Sequence, residues 1–301
     1  MLNKYVKRNI ILLLSLLFLS NPLYAGLQVF ACEPEWASLA NELGGEHLDI
    51  YTATTNQQDP HHIQARPSLV AKARRAELLV CTGAELEVGW LPLLLRKSGN
   101  PNIQAGQAGY FIATDYVSLL DQPIVLDRSL GDIHAAGNPH VHLDPVRLQQ
   151  IANKLSHTLT KLDPANSSDY EKKLEVFTQH WQNMILQWTE RTQSLKGKPI
   201  VVYHKNWTYL QHWLGLNQVA VLEPKPGIPP TSSHLSSLIL GLEKSPAQVI
   251  VYANYQDNKA ANWLSKKTGI PTLELAFSPA KDETLTHWFD RLLNQLLKLQ
   301  E

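Results

Sequence analysis

The chain has 301 residues, enough for two domains of ordinary size, and 44% of them are hydrophobic, enough to bury a core. Lys plus Arg number 27 and Asp plus Glu number 27, so the formal net charge is zero. That balance gives no support to a polyanionic partner, because a nucleic-acid binder presents a basic face.

Residues 1–25 read as a secretory signal. Lys4, Lys7 and Arg8 form a positive start, residues 10–19 are apolar apart from Ser15, and Pro22 and Ala25 precede a cut before Gly26. An apolar run of about ten residues is short of the roughly 20 that span a bilayer. No cysteine stands at the cut, and Phe30 occupies a position where lipidation at Cys32 needs a small residue. The expected product is a soluble secreted protein without a membrane anchor.

Beyond Gly26, strand-like and helix-like segments alternate, the pattern of an α/β fold with mainly parallel sheets. Strands are predicted over 27–32, 48–54, 76–82, 199–203, 219–222, 249–253 and 272–276. Between the first two, Trp36, Leu39, Ala40 and Leu43 recur at helical spacing until Gly44-Gly45 stops the run. Ser68 is a candidate N-cap for a helix after His61-His62.

Cys32 and Cys81 each end a predicted strand. If those strands are parallel neighbours, both thiols lie at one sheet edge and an oxidising compartment permits a disulfide. Otherwise they are two separate buried thiols.

The segment from Asn166 to Leu195 holds no glycine or proline. Tyr170, Leu174, Phe177, Trp181, Met184, Ile185 and Trp188 fall at helical spacing, Ser168 or Asp169 is placed to cap the start, and Lys196-Gly197-Lys198-Pro199 to end it. A helix of that length is longer than one small domain needs, so it reads as a rigid spacer. The predicted organisation is an N-terminal lobe over 26–165, a connecting helix over 166–197 and a C-terminal lobe over 198–301.

Twelve histidines are present. His47, His157, His180, His212, His234 and His287 fall at helix-like polar positions and need no special role. The others stand where α/β sheets bind ligands, outside the carboxyl ends of strands. His61 and His62 follow the second strand, His140 and His142 precede a helix, and His204 ends the first strand of the C-terminal lobe. Neutral imidazole is the commonest protein ligand for zinc, so histidines delivered by three loops to one edge point to a metal site.

Short motifs then carry a resemblance. Asp59-Pro60-His61 with Arg66-Pro67-Ser68 resembles the Asp-Pro-His…Pro-Ser segment of the periplasmic metal-binding proteins that feed ABC importers of zinc and manganese. Asn138-Pro139-His140-Val141-His142-Leu143-Asp144-Pro145 resembles that family's Asp-Pro-His-Val-Trp-Leu-Asp-Pro, and Val202-Tyr203-His204-Lys205-Asn206-Trp207 its strand-end histidine. Thr82-Gly83-Ala84-Glu85-Leu86-Glu87 is similar to its Asn-Gly…Leu-Glu after the third strand, and Glu223-Pro224-Lys225-Pro226-Gly227 to a further acidic loop. The similarity runs in order along nearly the whole chain after the signal.

The resemblance implies two α/β lobes joined by one long helix, with His61, His140 and His204 holding a metal between them for a membrane permease. His62 and His142 remain alternatives to their neighbours. The chain departs from the pattern where relatives supply a carboxylate after the last strand: Ala276 stands there. The fourth ligand is then water or another acid, with Glu35, Glu223 and Asp257 as candidates. The His- and Asp-rich loop of zinc-specific relatives is missing, since residues 126–137 hold only Asp127, Asp132 and His134. Three imidazoles, with His204 where manganese-type relatives carry Glu, favour Zn²⁺ over Mn²⁺.

Two other classes are weighed beside a non-catalytic binding protein. A secreted zinc hydrolase needs an open metal position and a general base, which Glu35 or Glu223 would supply, but no His-Glu-x-x-His or Gly-x-Ser-x-Gly motif is present. The hydroxyls of Thr231-Ser232-Ser233 beside His234 read as cap residues. A binding protein for a metal chelate or other organic solute needs an aromatic or arginine-lined cleft, and Trp36, Trp90 and Trp207 read as core instead.

Overall fold

A computed structural model describes residues 26–123, 131 and 134–298. The expected signal, residues 1–25, and the acids Asp127 and Asp132 lie outside the described residues.

Two four-stranded parallel sheets carry the chain. In the first, β1 (Leu27–Ala31), β2 (Leu48–Thr52), β3 (Leu78–Cys81) and β4 (Tyr110–Ile112) stand in the order β2-β1-β3-β4. In the second, β5 (Pro199–Val202), β6 (Asn217–Val221), β7 (Val249–Ala253) and β8 (Thr272–Leu275) stand in the same relative order, β6-β5-β7-β8. The sequence shows no repeat, yet each lobe reverses its winding beside its first strand. That is where an open α/β sheet leaves a crevice at its carboxyl edge.

Helices cover both faces of each sheet, so the central strands are buried throughout, as in Val249–Ala253. Alternation assigns the two faces. Leu27, Val29, Ala31, Leu78, Val80 and Phe111 enter one continuous core with α1 (Pro34–Gly44), α4 (Pro145–Leu162) and α5 (Ser167–Arg191). Phe30, Cys32, Leu79, Cys81 and Ile112 face a separate core under α2 (Pro67–Ala73) and α3 (Leu91–Ser98).

The same continuous core takes in Ile200, Val202, Val249, Val251 and Leu275 of the second sheet. Trp181 and Trp188 of α5 meet in an edge-to-face pair at 5.2 Å, and both pack on Phe289 of α9 (Leu285–Leu297). The two sheets are therefore bound to one helix through shared apolar packing. α9 returns toward the first lobe, where the Glu42 carboxylate accepts from the Leu285 N–H at 2.9 Å.

Helix ends depart from expectation. α2 starts at Pro67, whose fixed φ suits the first helical position, so Ser68 falls inside the turn and makes no cap; Arg66 is the flanking residue. α5 starts at Ser167 after Asn166, so neither Ser168 nor Asp169 caps it. It ends at Arg191 and gives way to a 3₁₀ turn over Gln193–Leu195 before Gly197. Its 25 residues make a rod of about 38 Å.

Cys32 and Cys81 are joined by a disulfide with Cα atoms 4.8 Å apart. β1 and β3 are parallel neighbours, which places the two thiols side by side at the carboxyl edge. No described helix is long and apolar enough to cross a membrane.

Candidate metal centre

Three loops bring three imidazoles together between the sheets. After β2, Asp59 caps a 3₁₀ turn over Pro60–His62, accepting from the His61 backbone N–H at 3.0 Å. The Trp90 indole N–H donates to the Pro60 carbonyl at 2.9 Å and fixes the turn from below. The His61 Nδ1–H donates to the same Asp59 oxygen at 2.8 Å, which leaves Nε2 to face inward.

His204 follows β5 and donates from Nδ1 to the Glu223 carboxylate at 2.6 Å, so its Nε2 is also free. His140 precedes the 3₁₀ turn Val141–Leu143 and donates its backbone N–H to the Asn138 side-chain carbonyl at 3.1 Å. The Asn138 amide donates in turn to the Lys205 carbonyl at 2.8 Å, so the loops of His140 and His204 are sewn together.

Each of the three histidines offers a ring nitrogen within 4.8 Å of the other two. Ring centroids lie 5.7 Å apart for His61 and His140, and 6.0 Å apart for both pairs with His204. Carboxylates behind His61 and His204 fix tautomer and ring direction, the support that metal-binding imidazoles ordinarily have. Burial alone would raise the Asp59 carboxyl, but its hydrogen bond and charge contact with His61 lower it below the usual range. Burial, then the neighbouring His61 and His204, holds His140 well below the ordinary imidazole range. The set is built to offer neutral lone pairs to a cation.

The alternative ligands take other positions. His62 is exposed beside His61. His142 is fully buried, stacked on Trp288, with Nε2 donating to the Phe277 carbonyl at 3.2 Å and Nδ1 3.4 Å from Glu35. No candidate acid joins the triad: Glu35 faces His142, Glu223 backs His204, and Asp257 pairs with Lys259 at the surface. Ala276 sits against the core. An open cleft of about 220 Å³ leads to the triad from outside and is lined by Asp59, His62, Tyr203, Glu223, Tyr255 and Asp257 among others. Trp36, Trp90 and Trp207 are buried core side chains that do not line the cleft. Thr231 caps α7 (Ser232–Lys244) by accepting the His234 N–H at 3.3 Å, which accounts for that hydroxyl cluster.

One residue near the triad carries no spacing signal. His134 turns its Nε2 to within 3.3 Å of His61 Nε2, and its ring lies 6.5 Å from that of His140. Burial, then His61, drives its pKa down to about 4, against a hydrogen bond to the Ala84 carbonyl. A lone histidine in a loop has no periodicity or motif to mark it, so the sequence singles it out only as part of a sparse loop.

A second cluster sits behind the first lobe's crevice. Glu33, Glu35 and Glu87 are all buried, Glu87 beside the disulfide. Burial first, then the charges of Glu87 and Glu35, raises the Glu33 carboxyl well above its usual range. Burial pushes Glu87 up to about 7, although the N–H groups of Thr82 and Gly83 donate to it at 2.6 and 3.0 Å. Glu87 also comes near both sulfurs, but these are bonded to each other.

Comparison with known proteins bears on this site. The profile of a family described as "Zinc-uptake complex component A periplasmic" matches residues 29–301. The zinc-binding lipoprotein AdcA of Streptococcus pneumoniae is 25% identical over 235 residues, 77% of this chain and 46% of the relative. This chain thus spans about half the length of that relative. The manganese ABC transporter substrate-binding lipoprotein PsaA of Streptococcus pneumoniae is 21% identical over 259 residues, covering 84% of this chain and 80% of the relative. A crystal structure of ZnuA superposes with a TM-score of 0.75 at 19% identity, over 92% of this chain and all of that one, which shows a shared fold.

Proposed function

The chain belongs to the family of zinc-uptake complex component A, the metal-binding periplasmic components of ABC uptake systems, and on that premise we propose that it captures Zn²⁺ and hands it to a membrane permease. The observation that carries this reading is the triad itself. Three imidazoles from three loops of two sheets present ring nitrogens within 4.8 Å of one another. His61, His140 and His204 are the proposed ligands, and the chain acts as a monomer without catalysis.

The donor chemistry supports zinc. No carboxylate stands in the triad among the described residues. Zinc accepts three imidazoles and one light ligand, whereas manganese favours oxygen. Both metals occur in the names of relatives, so the donor set carries the choice.

The cargo would tie the loops of His61 and His140, which lead into the first lobe's elements, to the loop of His204 at the edge of the second sheet. Because both sheets share one core along α5, capture involves small loop adjustments rather than a wide hinge closure. The cleft at the triad gives the ion its way in and out.

The test is competitive titration of the chelator-stripped protein, residues 26–301, with Zn²⁺ and Mn²⁺. One zinc per chain, not displaced by excess manganese, supports the reading. Equal or stronger binding of manganese removes the zinc assignment.

A further inference from the structure

The triad supplies three corners of a tetrahedron, and the usual reading of such a site leaves the fourth to water or a carboxylate. We propose that His134 is the fourth ligand of this protein's metal, giving a shell of four imidazoles. The inference rests on the metal-capture reading above and deepens it.

Distance is the first support. A zinc ion with Zn–N bonds of about 2.0–2.1 Å places neighbouring nitrogens about 3.3 Å apart. The Nε2 atoms of His134 and His61 stand 3.3 Å apart, the separation that two imidazoles take on one ion.

The second support is the oxygen behind the ring. Metal-binding imidazoles donate their other N–H to a carboxylate or a carbonyl. His61 uses Asp59, His204 uses Glu223, and His134 uses the Ala84 carbonyl. Its Nε2 is the nitrogen turned toward His61.

Backbone geometry is the third. Ala84 and Glu85 hold φ of 46° and 67°, left-handed conformations that L residues rarely adopt. Gly83 precedes them at φ 87°, where a Cβ would collide with Ile112 and Thr114. The turn is held by the buried Glu87 carboxylate, which accepts from Thr82 and Gly83. What the strained turn presents is the Ala84 carbonyl to the His134 ring and the Glu85 carboxylate to the Ala135 N–H, at 3.0 Å. Strain maintained at two adjacent residues, both gripping the same loop beside a ligand triad, points to a positioned side chain.

The fourth support is the empty alternative. Ala276 stands where relatives place a carboxylate, and Glu35, Glu223 and Asp257 are each engaged elsewhere. His134 is not yet gathered with the other three, since it stands against His61 and farther from His140. Its ring must therefore shift toward the triad to complete the shell. A shell of four nitrogens and no oxygen would also exclude manganese more firmly than the triad alone.

The experiment compares wild type with His134→Ala and His134→Asp, each first checked for an unchanged thermal transition in the metal-free form. Zinc affinity is measured by chelator competition, and the zinc K-edge X-ray absorption spectrum counts imidazoles. Four imidazoles in wild type and three in His134→Ala are expected, with affinity lowered roughly 10–100-fold and stoichiometry kept at one. His134→Asp should narrow the preference for zinc over manganese. Three imidazoles in wild type, with His134→Ala binding equally well, would overturn the assignment of His134 alone. Failure of wild type to bind zinc would instead sink the capture reading, and this one with it.

Discussion

A single oxygen of Asp59 serves His61 twice, accepting from its backbone N–H at 3.0 Å and from its ring Nδ1–H at 2.8 Å. The same atom therefore starts the 3₁₀ turn and aims the imidazole. Glu223 performs the ring half of this task for His204 at 2.6 Å and also accepts from the Gly227 N–H at 3.0 Å.

It follows that Asp59→Ala weakens zinc binding without removing a ligand. Zinc affinity is expected to fall roughly 10–100-fold at unchanged stoichiometry. Glu223→Ala should act in the same direction through a different ligand, so the double variant should be weaker than either. Calorimetric titration of the three proteins checks this, and an unchanged affinity in both single variants would show that the carboxylates do not support the site.

Proton competition should weaken capture in acid. Ligation needs neutral imidazoles, whose ordinary pKa is about 6.5. In the metal-free fold, burial and neighbouring imidazoles depress His140, and bring His134 to about 4. Such a group is neutral when folded and takes a proton on unfolding below about 6.5, so its contribution to stability is present above that pH and lost as pH falls toward about 4. The Tm of the metal-free protein should accordingly fall as pH drops from about 6.5 toward 4, and the zinc-induced rise should shrink once the folded protein's own imidazoles take protons, near pH 4 for His134. A metal-free Tm that stays constant from about pH 7 to 4 would argue against buried, neutral histidines.

The buried acids predict the opposite pH slope. Glu33 is raised well above its usual range and Glu87 to about 7, so the fold holds protons that the unfolded chain releases above about 4.5. Their effect is favourable in the acid range and is lost as pH rises toward 7. Glu33→Gln removes the need for one proton and keeps the acceptor for the Thr82 hydroxyl, now 3.1 Å from Glu33 Oε2. The variant should melt about 2–4 °C above wild type at pH 8 and level with it near pH 4.5. Parallel melting curves across that range would show that the pair does not store a proton.

Reduction of the Cys32–Cys81 disulfide should destabilise the fold. The bridge closes a loop of 49 residues between neighbouring strands, for which a loss of about 2–4 kcal/mol is expected. Urea unfolding with and without reductant measures it. An unchanged midpoint would mean that the closed loop does not limit the unfolded chain.

Most of the architecture was legible because its signals are local. Seven strands appear as short apolar runs bounded by turn residues, and α5 as an unbroken stretch with apolar spacing of 3 and 4. β4 was not legible: three residues, Tyr110–Ile112, are too few to show a period. Helix starts misled where proline, rather than a hydroxyl or carboxylate, set the first turn, as at Pro67. The neighbourhood of the triad histidines could be read because each lies next to a strand end or a proline-bearing turn, whereas the choice of His61, His140 and His204 over His62 and His142 came from the resemblance. His134 could not be read, since its partners Ala84 and His61 are 50 and 73 positions away and only the fold unites them.

The central claim is that one metal ion is held jointly by His61, His140 and His204. The most direct test is zinc content by mass spectrometry after stripping and refilling, for wild type and for His61→Ala, His140→Ala and His204→Ala. One zinc per wild-type chain and strongly weakened retention in every variant are predicted. Zinc retained equally by all four proteins would contradict the account.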